Sequence, residues 1–167
     1  MLRFVHALLG FLNILNWMMG AVFLVLFAFI ALEPSALSDQ LNTEFTAGET
    51  GALMTWLSIC CAVTLVVVPL AHIIFVRLRR MIRDAEIGEV FSSQSVASLR
   101  IIAFALLGIS AADLVFGLAS VSVSERTGEY LGWSPSLSIW LVSGLLFVLA
   151  RIFADGIAMR EELEGTV

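Results

Sequence analysis

Long apolar stretches alternate with short polar ones along the chain. Four of the apolar stretches are long enough to cross a bilayer, because a membrane-spanning helix needs about 20 predominantly apolar residues. They cover residues 7–32, 51–76, 99–121 and 136–158. The pattern predicts an all-α integral membrane protein, a bundle of four transmembrane helices that forms a single membrane domain over residues 1–167.

Helical periodicity continues past the second and the fourth stretch. An apolar stripe at i, i+3, i+4 and i+7 follows span two, with charged residues on the other face. Its members are Leu78, Met81, Ile82 and Ala85. Past span four we expect an apolar stripe of Ile152, Gly156, Met159 and Leu163, beside a small-residue row of Ala150, Ala154 and Ala158. These patterns predict that helices 2 and 4 extend into the cytoplasm and pack there as a small knob.

The arginines decide the predicted orientation. The chain has nine arginines and no lysine, and five arginines lie between positions 77 and 100. Cytoplasmic loops carry an excess of Lys and Arg, so residues 77–98 are expected to be a cytoplasmic hairpin. Within it, Gly88 is expected to cap the end of the first helix, and Ser92–Ser93 the start of the next. Residues 33–50 and 122–135 are then outer loops, and residues 159–167 form a cytoplasmic tail. Both chain termini are predicted to be cytoplasmic.

Composition agrees with a membrane protein and narrows the function. Hydrophobic residues make up 60% of the chain and charged residues 14%, and the net charge is −5. Binding of nucleic acid requires clustered cations, so direct contact with nucleic acid is not expected. Cys60 and Cys61 are adjacent inside an apolar stretch, and we interpret them as small core residues. No pattern indicates a metal site or a cofactor.

Several polar side chains lie within the predicted spans. Asn13 and Asn16 are one turn apart in span one, which indicates a face turned toward other helices. Asp113 lies deep in span three, where a carboxyl group is costly unless it is neutral or partnered. Asp113 therefore either handles a proton, ion or small cation together with Asn13, Asn16 and Thr64, or fixes helix packing through bonds to Asn16, Thr64 or Ser110.

His72 follows Pro69 by three residues in span two. A histidine there could sense pH or transfer a proton. The alternative is that its ring bonds a backbone carbonyl that the proline leaves without a donor, since proline has no N–H. The residues alone favour the second interpretation.

Charged residues at the cytoplasmic ends of spans three and four form the candidate partner-binding surface. They are Arg100, Arg151, Asp155, Arg160, Glu161 and Glu162. Arg151 and Asp155 are spaced for an i,i+4 ion pair, as are Arg80 and Asp84. The alternative is a solvated face of mixed charge without a partner.

Two segments of the sequence resemble a known family. They are residues 88–100 (GEVFSSQSVASLR) and 153–167 (FADGIAMREELEGTV). Both are similar to the recognisable stretches of the bacterial membrane family of unknown function 2975 (DUF2975). The positions that match are Gly88, Phe91, Ser92, Leu99, Arg100, Gly156, Arg160, Glu161, Glu162, Thr166 and Val167. The resemblance implies a small protein of the bacterial inner membrane, often encoded beside a short helix-turn-helix regulator, and it brings no catalytic residue.

Two hypotheses follow from the residues and the resemblance. The first is a non-enzymatic membrane protein whose cytoplasmic knob binds a partner, such as a helix-turn-helix transcriptional regulator. The second is a transporter or channel-like protein that uses Asp113 and works as a homo-oligomer, because four short spans leave little room for a pathway in one copy. An enzyme is not expected, since no H-E-x-x-H, G-x-S-x-G or P-loop motif is present.

Overall fold

Five α-helices account for the regular structure of the described residues. The computed structural model describes residues 2–43, 45–86, 92–128 and 133–164, without the side chains of residues 2, 3, 161, 163 and 164. The helices are α1 (Leu2–Leu32), α2 (Pro34–Leu41), α3 (Ala47–Glu86), α4 (Ser93–Thr127) and α5 (Leu137–Glu164). No strand occurs within the described ranges. The predicted all-α class is confirmed.

Four of these helices are long and apolar enough to cross a membrane. The segments are Phe4–Leu32, Ala47–Glu86, Ser93–Thr127 and Leu137–Arg160. They leave many large apolar side chains exposed, among them Phe4, Phe11 and Val25 of α1 and Leu141 and Val148 of α5. Contiguous apolar surface of this extent is unfavourable in water and is matched by lipid. The protein is therefore a multi-pass membrane protein.

Helix α2 lies in a segment that the sequence pattern presents as a loop. It has only eight residues, and none of them is buried. Pro34 occupies its first turn, where the fixed φ of proline suits a helix and the missing N–H costs nothing. An unburied helix shows no apolar periodicity, so hydrophobic pattern could not predict it.

Helix α3 continues through Pro69 and reaches Glu86, so the expected helical extension of span two is present. Leu78, Met81 and Ile82 are half-buried on its apolar face. The expected Arg80–Asp84 ion pair is not formed. Arg80 is exposed, whereas Asp84 turns inward and its Oδ2 is buried with no hydrogen-bond partner among the described residues.

The start of α4 agrees with the capping pattern in the sequence. The backbone N–H of Ser95 donates to Oγ of Ser92 at 3.2 Å, which satisfies one of the free donors of the first turn. The N-cap predicted at Ser92–Ser93 is confirmed. Gly88, predicted to cap the preceding helix, and Phe91 lie outside the described residues.

The chain forms two compact units, each assembled from segments that are distant in sequence. Unit 1 consists of Met1–Leu15, Leu70–Ser110 and Ser136–Val167. Unit 2 consists of Asn16–Pro69 and Ala111–Pro135. Helices α1, α3 and α4 contribute residues to both units, whereas α5 belongs to unit 1 and α2 to unit 2.

Candidate functional site

Unit 1 contains an apolar cluster that supports the candidate partner-binding residues. Val96, Leu99 and Ala150 are its buried members, and Met81 packs against them from α3. The half-buried side chains around them from α5 are Leu146, Phe153, Ala154 and Ile157. The end of α3, the start of α4 and the second half of α5 are therefore packed together, as the periodicity of α3 indicated.

The predicted packing face of α5 is only partly right. Ala150 and Ala154, two members of the small-residue row, do lie in the cluster. Ile152 and Met159, expected in the apolar stripe, are instead 58% and 60% exposed. The true apolar face contains Phe153 and Ile157, one position further along. An all-apolar helix offers several equivalent stripes, so its packing face depends on its neighbours.

Helices α4 and α5 run antiparallel in unit 1, since Ala103 contacts Ser143 whereas Val96, earlier in α4, packs near Ile157, later in α5. The hydroxyl of Ser143 donates to the carbonyl oxygen of Ala103 at 2.7 Å, and both residues are fully buried. The Phe104 and Phe147 rings meet nearly edge to face, with centroids 4.9 Å apart. The buried hydroxyl and the aromatic pair hold the two helices in register beside the cluster.

The charged candidate residues are exposed around this support. Arg151 and Asp155 form the predicted i,i+4 ion pair at 3.2 Å, with side chains 76% and 55% exposed. Arg160 and Glu162 are exposed, and Arg100 is exposed on α4. The side chain of Glu161 lies outside the described residues. Exposed ion pairs contribute little to stability, so the Arg151–Asp155 pair can open at little cost when a ligand or partner binds.

A shallow groove of about 310 Å³ separates α4 from α5 next to Arg100. Its walls are Ser93, Val96, Ala97 and Arg100 from α4 and Ala154 and Ile157 from α5. The groove is therefore mostly apolar with a single cation. No sequence pattern indicated it, because each of its walls comes from a different helix.

In unit 1, His72 and Arg79 of α3 both contact α1, and neither contact was predicted. Nδ1 of His72 donates to Oδ1 of Asn13 at 2.8 Å, because an amide oxygen can only accept a hydrogen bond. The guanidinium of Arg79 passes closely over Gly10, with Nη2 3.4 Å from the position of an added Cβ. Helical spacing could have indicated these contacts. Gly10 and Asn13 share one face of α1, and His72 and Arg79 share one face of α3.

Unit 2 holds the other asparagine of α1. Nδ2 of Asn16 donates to the carbonyl oxygen of Val68 at 2.9 Å. One turn further along α1, Gly20 allows α3 to approach, because a Cβ there would lie 2.9 Å from Cγ1 of Val68. Helix α3 also bonds α4 in this unit, through Nε1 of Trp56 and Oγ of Ser120 at 3.0 Å.

The proposed set of intramembrane polar residues does not form one hydrogen-bonded group. Asp113 is half-buried and has no hydrogen bond or ion pair among the described residues. The hydroxyl of Thr64 donates to the carbonyl of Cys60 at 2.8 Å, and that of Ser110 to the carbonyl of Leu106 at 3.0 Å. The expected bonds from Asp113 to these hydroxyls or to Asn16 are absent, because each group is used by a backbone carbonyl instead.

The described residues contain neither a disulfide nor a group of side chains that could bind a metal ion. Cys60 and Cys61 are buried free cysteines, as expected for small core residues. Within the described residues, no three His, Cys, Asp or Glu side chains come close enough together to hold a metal ion.

Residues 17–167 match the family described as "Protein of unknown function (DUF2975)". The match covers nearly all of the chain, including both sequence segments that carry the resemblance. The chain belongs to the DUF2975 family. No curated protein and no solved structure shows significant similarity to it.

The DUF2975 motif residues that the structure describes lie in unit 1. They are Ser92, Leu99, Arg100, Gly156, Arg160 and Glu162. Ser92 caps α4, and Leu99 is buried in the apolar cluster, so these two have structural roles. Gly88, Phe91, Thr166 and Val167 lie outside the described residues. The charged motif residues Arg100, Arg160 and Glu162 are exposed.

Proposed function

We propose that this DUF2975 protein is a non-enzymatic protein of the bacterial inner membrane whose cytoplasmic knob binds a small helix-turn-helix regulator. The knob comprises the end of α3, the start of α4 and the second half of α5. The observation that supports the proposal is the combination of a packed apolar cluster with exposed charged motif residues around it. The candidate contact residues are Arg100, Arg151, Asp155, Arg160, Glu161 and Glu162.

The cytoplasmic placement of the knob rests on charge. The arginines at positions 77, 79, 80, 83, 100, 151 and 160 all belong to unit 1, whereas Arg126 belongs to unit 2. Since Lys and Arg concentrate in cytoplasmic segments, the ends of the helices in unit 1 are assigned to the cytoplasm. A reporter that is active only in the periplasm, fused after residue 167, should remain inactive. Activity of that reporter would reverse the assignment.

Charge reversal tests the contact surface. In full-length protein, Arg160→Glu and Glu162→Lys should abolish co-purification of the proposed helix-turn-helix regulator, because each reverses an exposed charge on α5. Arg126→Glu is the matched control, since it reverses an exposed arginine of unit 2. Membrane insertion should be normal in all three variants. Regulator binding that survives both α5 substitutions excludes this surface.

A second candidate function is an oligomeric transporter or channel-like protein that moves a proton, an ion or a small cation. The observation that favours it is the half-buried carboxyl of Asp113, which has no hydrogen bond or ion pair among the described residues. A carboxyl group at that depth is costly and is commonly functional. Asn16, Thr64 and Asp113 all belong to unit 2, whereas Asn13 belongs to unit 1 and is bonded to His72.

Flux across proteoliposomes tests this second function. Asp113→Asn should abolish uptake of the transported cation, because it removes the only acid within the apolar part of α4. Glu125→Gln, which changes an exposed acid of the same helix, is the matched control and should transport normally. Equal flux through the wild type and Asp113→Asn would remove the transporter from consideration.

A further inference from the structure

The guanidinium of Arg79 lies against α1 without a partner for its charge. Its Nη2, Cζ and Nη1 atoms are 3.4, 3.7 and 3.9 Å from the position of a Cβ at Gly10, so the group rests on the α1 backbone. Arg79 is half-buried and has no hydrogen bond or ion pair among the described residues. A partly buried charge without a partner is costly, so a counter-ion is expected beside it.

The surrounding chain does not supply that counter-ion. Residues 1–32 contain no Asp or Glu, so α1 has no acid to offer. On α3, Arg83 follows Arg79 by four residues and shares its face. Arg83 is exposed and also has no hydrogen bond or ion pair among the described residues. The acids nearest to Arg83 in α3 do not pair with it, because Asp84 turns inward and Glu86 is exposed on its own. Two guanidinium groups on one helix face are therefore left without an anion.

Arg79 lies where the apolar part of α3 ends. Residues 51–76 contain no Asp, Glu, Lys or Arg, and Arg79 is three positions past them. Arginines at the end of a transmembrane stretch place their head groups at the level of the lipid headgroups. The missing anion is therefore sought at the level where phospholipids present their phosphates.

The surface on the membrane side of this guanidinium is apolar. Gly10 contacts Arg79 and Asn13 contacts His72, so α1 and α3 run antiparallel in unit 1. One turn from the Gly10–Arg79 contact toward the middle of the membrane, each helix presents an exposed apolar side chain on the same face. These are Ile14 of α1 and Val76 of α3, which are 62% and 38% exposed. Such a surface suits an acyl chain.

We propose that Arg79 and Arg83 bind the phosphate of an anionic phospholipid beside α1. Guanidinium groups bind phosphate oxygens through paired N–H donors, and basic sites between transmembrane helices bind anionic headgroups. Gly10 positions the Arg79 guanidinium by leaving room for it on the α1 backbone. The glycerol and the acyl chains extend from the phosphate toward the middle of the membrane, past Val76 and Ile14. Neither arginine is among the proposed contacts of the regulator.

Lipid titration of the full-length protein in detergent tests the proposal. Binding of dioleoyl phosphatidylglycerol, followed by native mass spectrometry, should exceed that of dioleoyl phosphatidylethanolamine, whose own ammonium balances its phosphate. Arg79→Gln and Arg83→Gln should each weaken phosphatidylglycerol binding about fivefold, as expected for one arginine near a membrane surface. Arg77→Gln is the matched control and should change nothing, because position 77 lies about 200° around α3 from Arg79.

A variant that keeps every arginine tests the role of Gly10. Gly10→Leu should also weaken phosphatidylglycerol binding, because the leucine side chain occupies the space in which the Arg79 guanidinium lies. Gly144→Leu is its control, since a Cβ at position 144 meets nothing within 4 Å, and it should bind the lipid normally. Circular dichroism of each variant checks that the helices are intact. If Gly10→Leu does not fold, the arginine variants still decide the proposal.

Three results would overturn the proposal. If Arg77→Gln weakens lipid binding as much as Arg79→Gln, the effect is one of general charge at the membrane surface. If millimolar inorganic phosphate displaces the lipid completely, the two arginines form a site for free anions. If Arg79→Gln releases the regulator and leaves lipid affinity unchanged, this face belongs to the protein partner.

Discussion

Two asparagines one turn apart in α1 make different kinds of hydrogen bond in the two units. In unit 1, Asn13 bonds the side chain of His72, so the contact needs both residue types. In unit 2, Asn16 bonds the backbone carbonyl of Val68, an acceptor that any residue at position 68 would present. The contact in unit 1 therefore depends on the residue type in both helices. The contact in unit 2 depends on the residue type in α1 only.

The glycines of α1 repeat the contrast. Gly20 in unit 2 faces Val68, a buried β-branched side chain with little rotational freedom. Gly10 in unit 1 faces the guanidinium of Arg79, the far end of a long and flexible side chain. Unit 2 thus brings α1 and α3 together through rigid packing, and unit 1 through polar and adaptable contacts. Adaptable contacts suit the unit that carries the exposed charged motif residues.

The largest effect is expected from Gly20→Ala. The new methyl group would lie 2.9 Å from Cγ1 and 3.1 Å from Cγ2 of Val68, so a buried side chain or a helix must shift. Overpacking of this kind costs about 1–3 kcal/mol. The free energy of unfolding in mixed detergent and SDS micelles would show the loss. Gly51→Ala is the control, since a Cβ there meets nothing within 4 Å.

A double-mutant cycle tests the Asn13–His72 bond. Single substitutions Asn13→Ala and His72→Ala should each destabilise the protein, and the double variant should cost less than their sum. The expected coupling is about 0.6 kcal/mol, the average for side-chain hydrogen bonds between membrane helices, and at most about 1.7 kcal/mol. Asn16→Ala combined with His72→Ala should be additive instead, because Asn16 bonds a backbone carbonyl. Coupling of equal size in both cycles would contradict the contrast between the units.

The ion pair on α5 should matter less for stability than the Asn13–His72 bond. Arg151→Ala is expected to lower the free energy of unfolding by about 0.3–0.5 kcal/mol, because both partners are largely exposed. The effect should shrink further at high salt. A loss above about 1 kcal/mol would mean that the pair is held in a more enclosed setting than its exposure indicates.

Gly10→Ala is expected to have the smallest effect, within about 0.5 kcal/mol of zero. The atoms nearest to a Cβ at Gly10 belong to the Arg79 guanidinium, at 3.4 Å and beyond, and this long side chain can move aside. The same SDS titration used for Gly20→Ala measures both variants. Equal losses at the two glycines would show that the α1–α3 contact in unit 1 is as rigid as that in unit 2.

Hydrophobic pattern predicted the large elements well. The four apolar stretches correspond to α1, α3, α4 and α5, and Ser92 caps α4 as its sequence indicated. The misses share a cause. Helix α2 buries no side chain, and α5 offers several apolar stripes of which Ile152 and Met159 proved to be the wrong one. Hydrophobic periodicity shows which face of a helix is buried. It gives no such information for α2, which buries no residue, or for α5, which is apolar on several faces.

The candidate site was predictable in part. Arg100, Arg151, Asp155, Arg160 and Glu162 are exposed in unit 1, and the Arg151–Asp155 pair follows from i,i+4 spacing within one helix. Asp84, by contrast, turns inward and does not pair with Arg80, although the spacing is the same. Helical spacing places two side chains on one face, but the neighbouring helices decide whether either is turned away from the other.

The sequence by itself determined that this protein is helical and crosses a membrane, because the length and apolarity of each span are local properties of the chain. It also determined membership of DUF2975, because the residues that carry the family resemblance are read directly from the sequence. Only the tertiary structure decided which polar groups meet across helices. Asn13 could have bonded any donor or acceptor at its depth, and its choice of His72 depends on the rotation and register of α3 beside α1. Those two quantities arise from the packing of all the side chains between the helices, and no single stretch of sequence contains them.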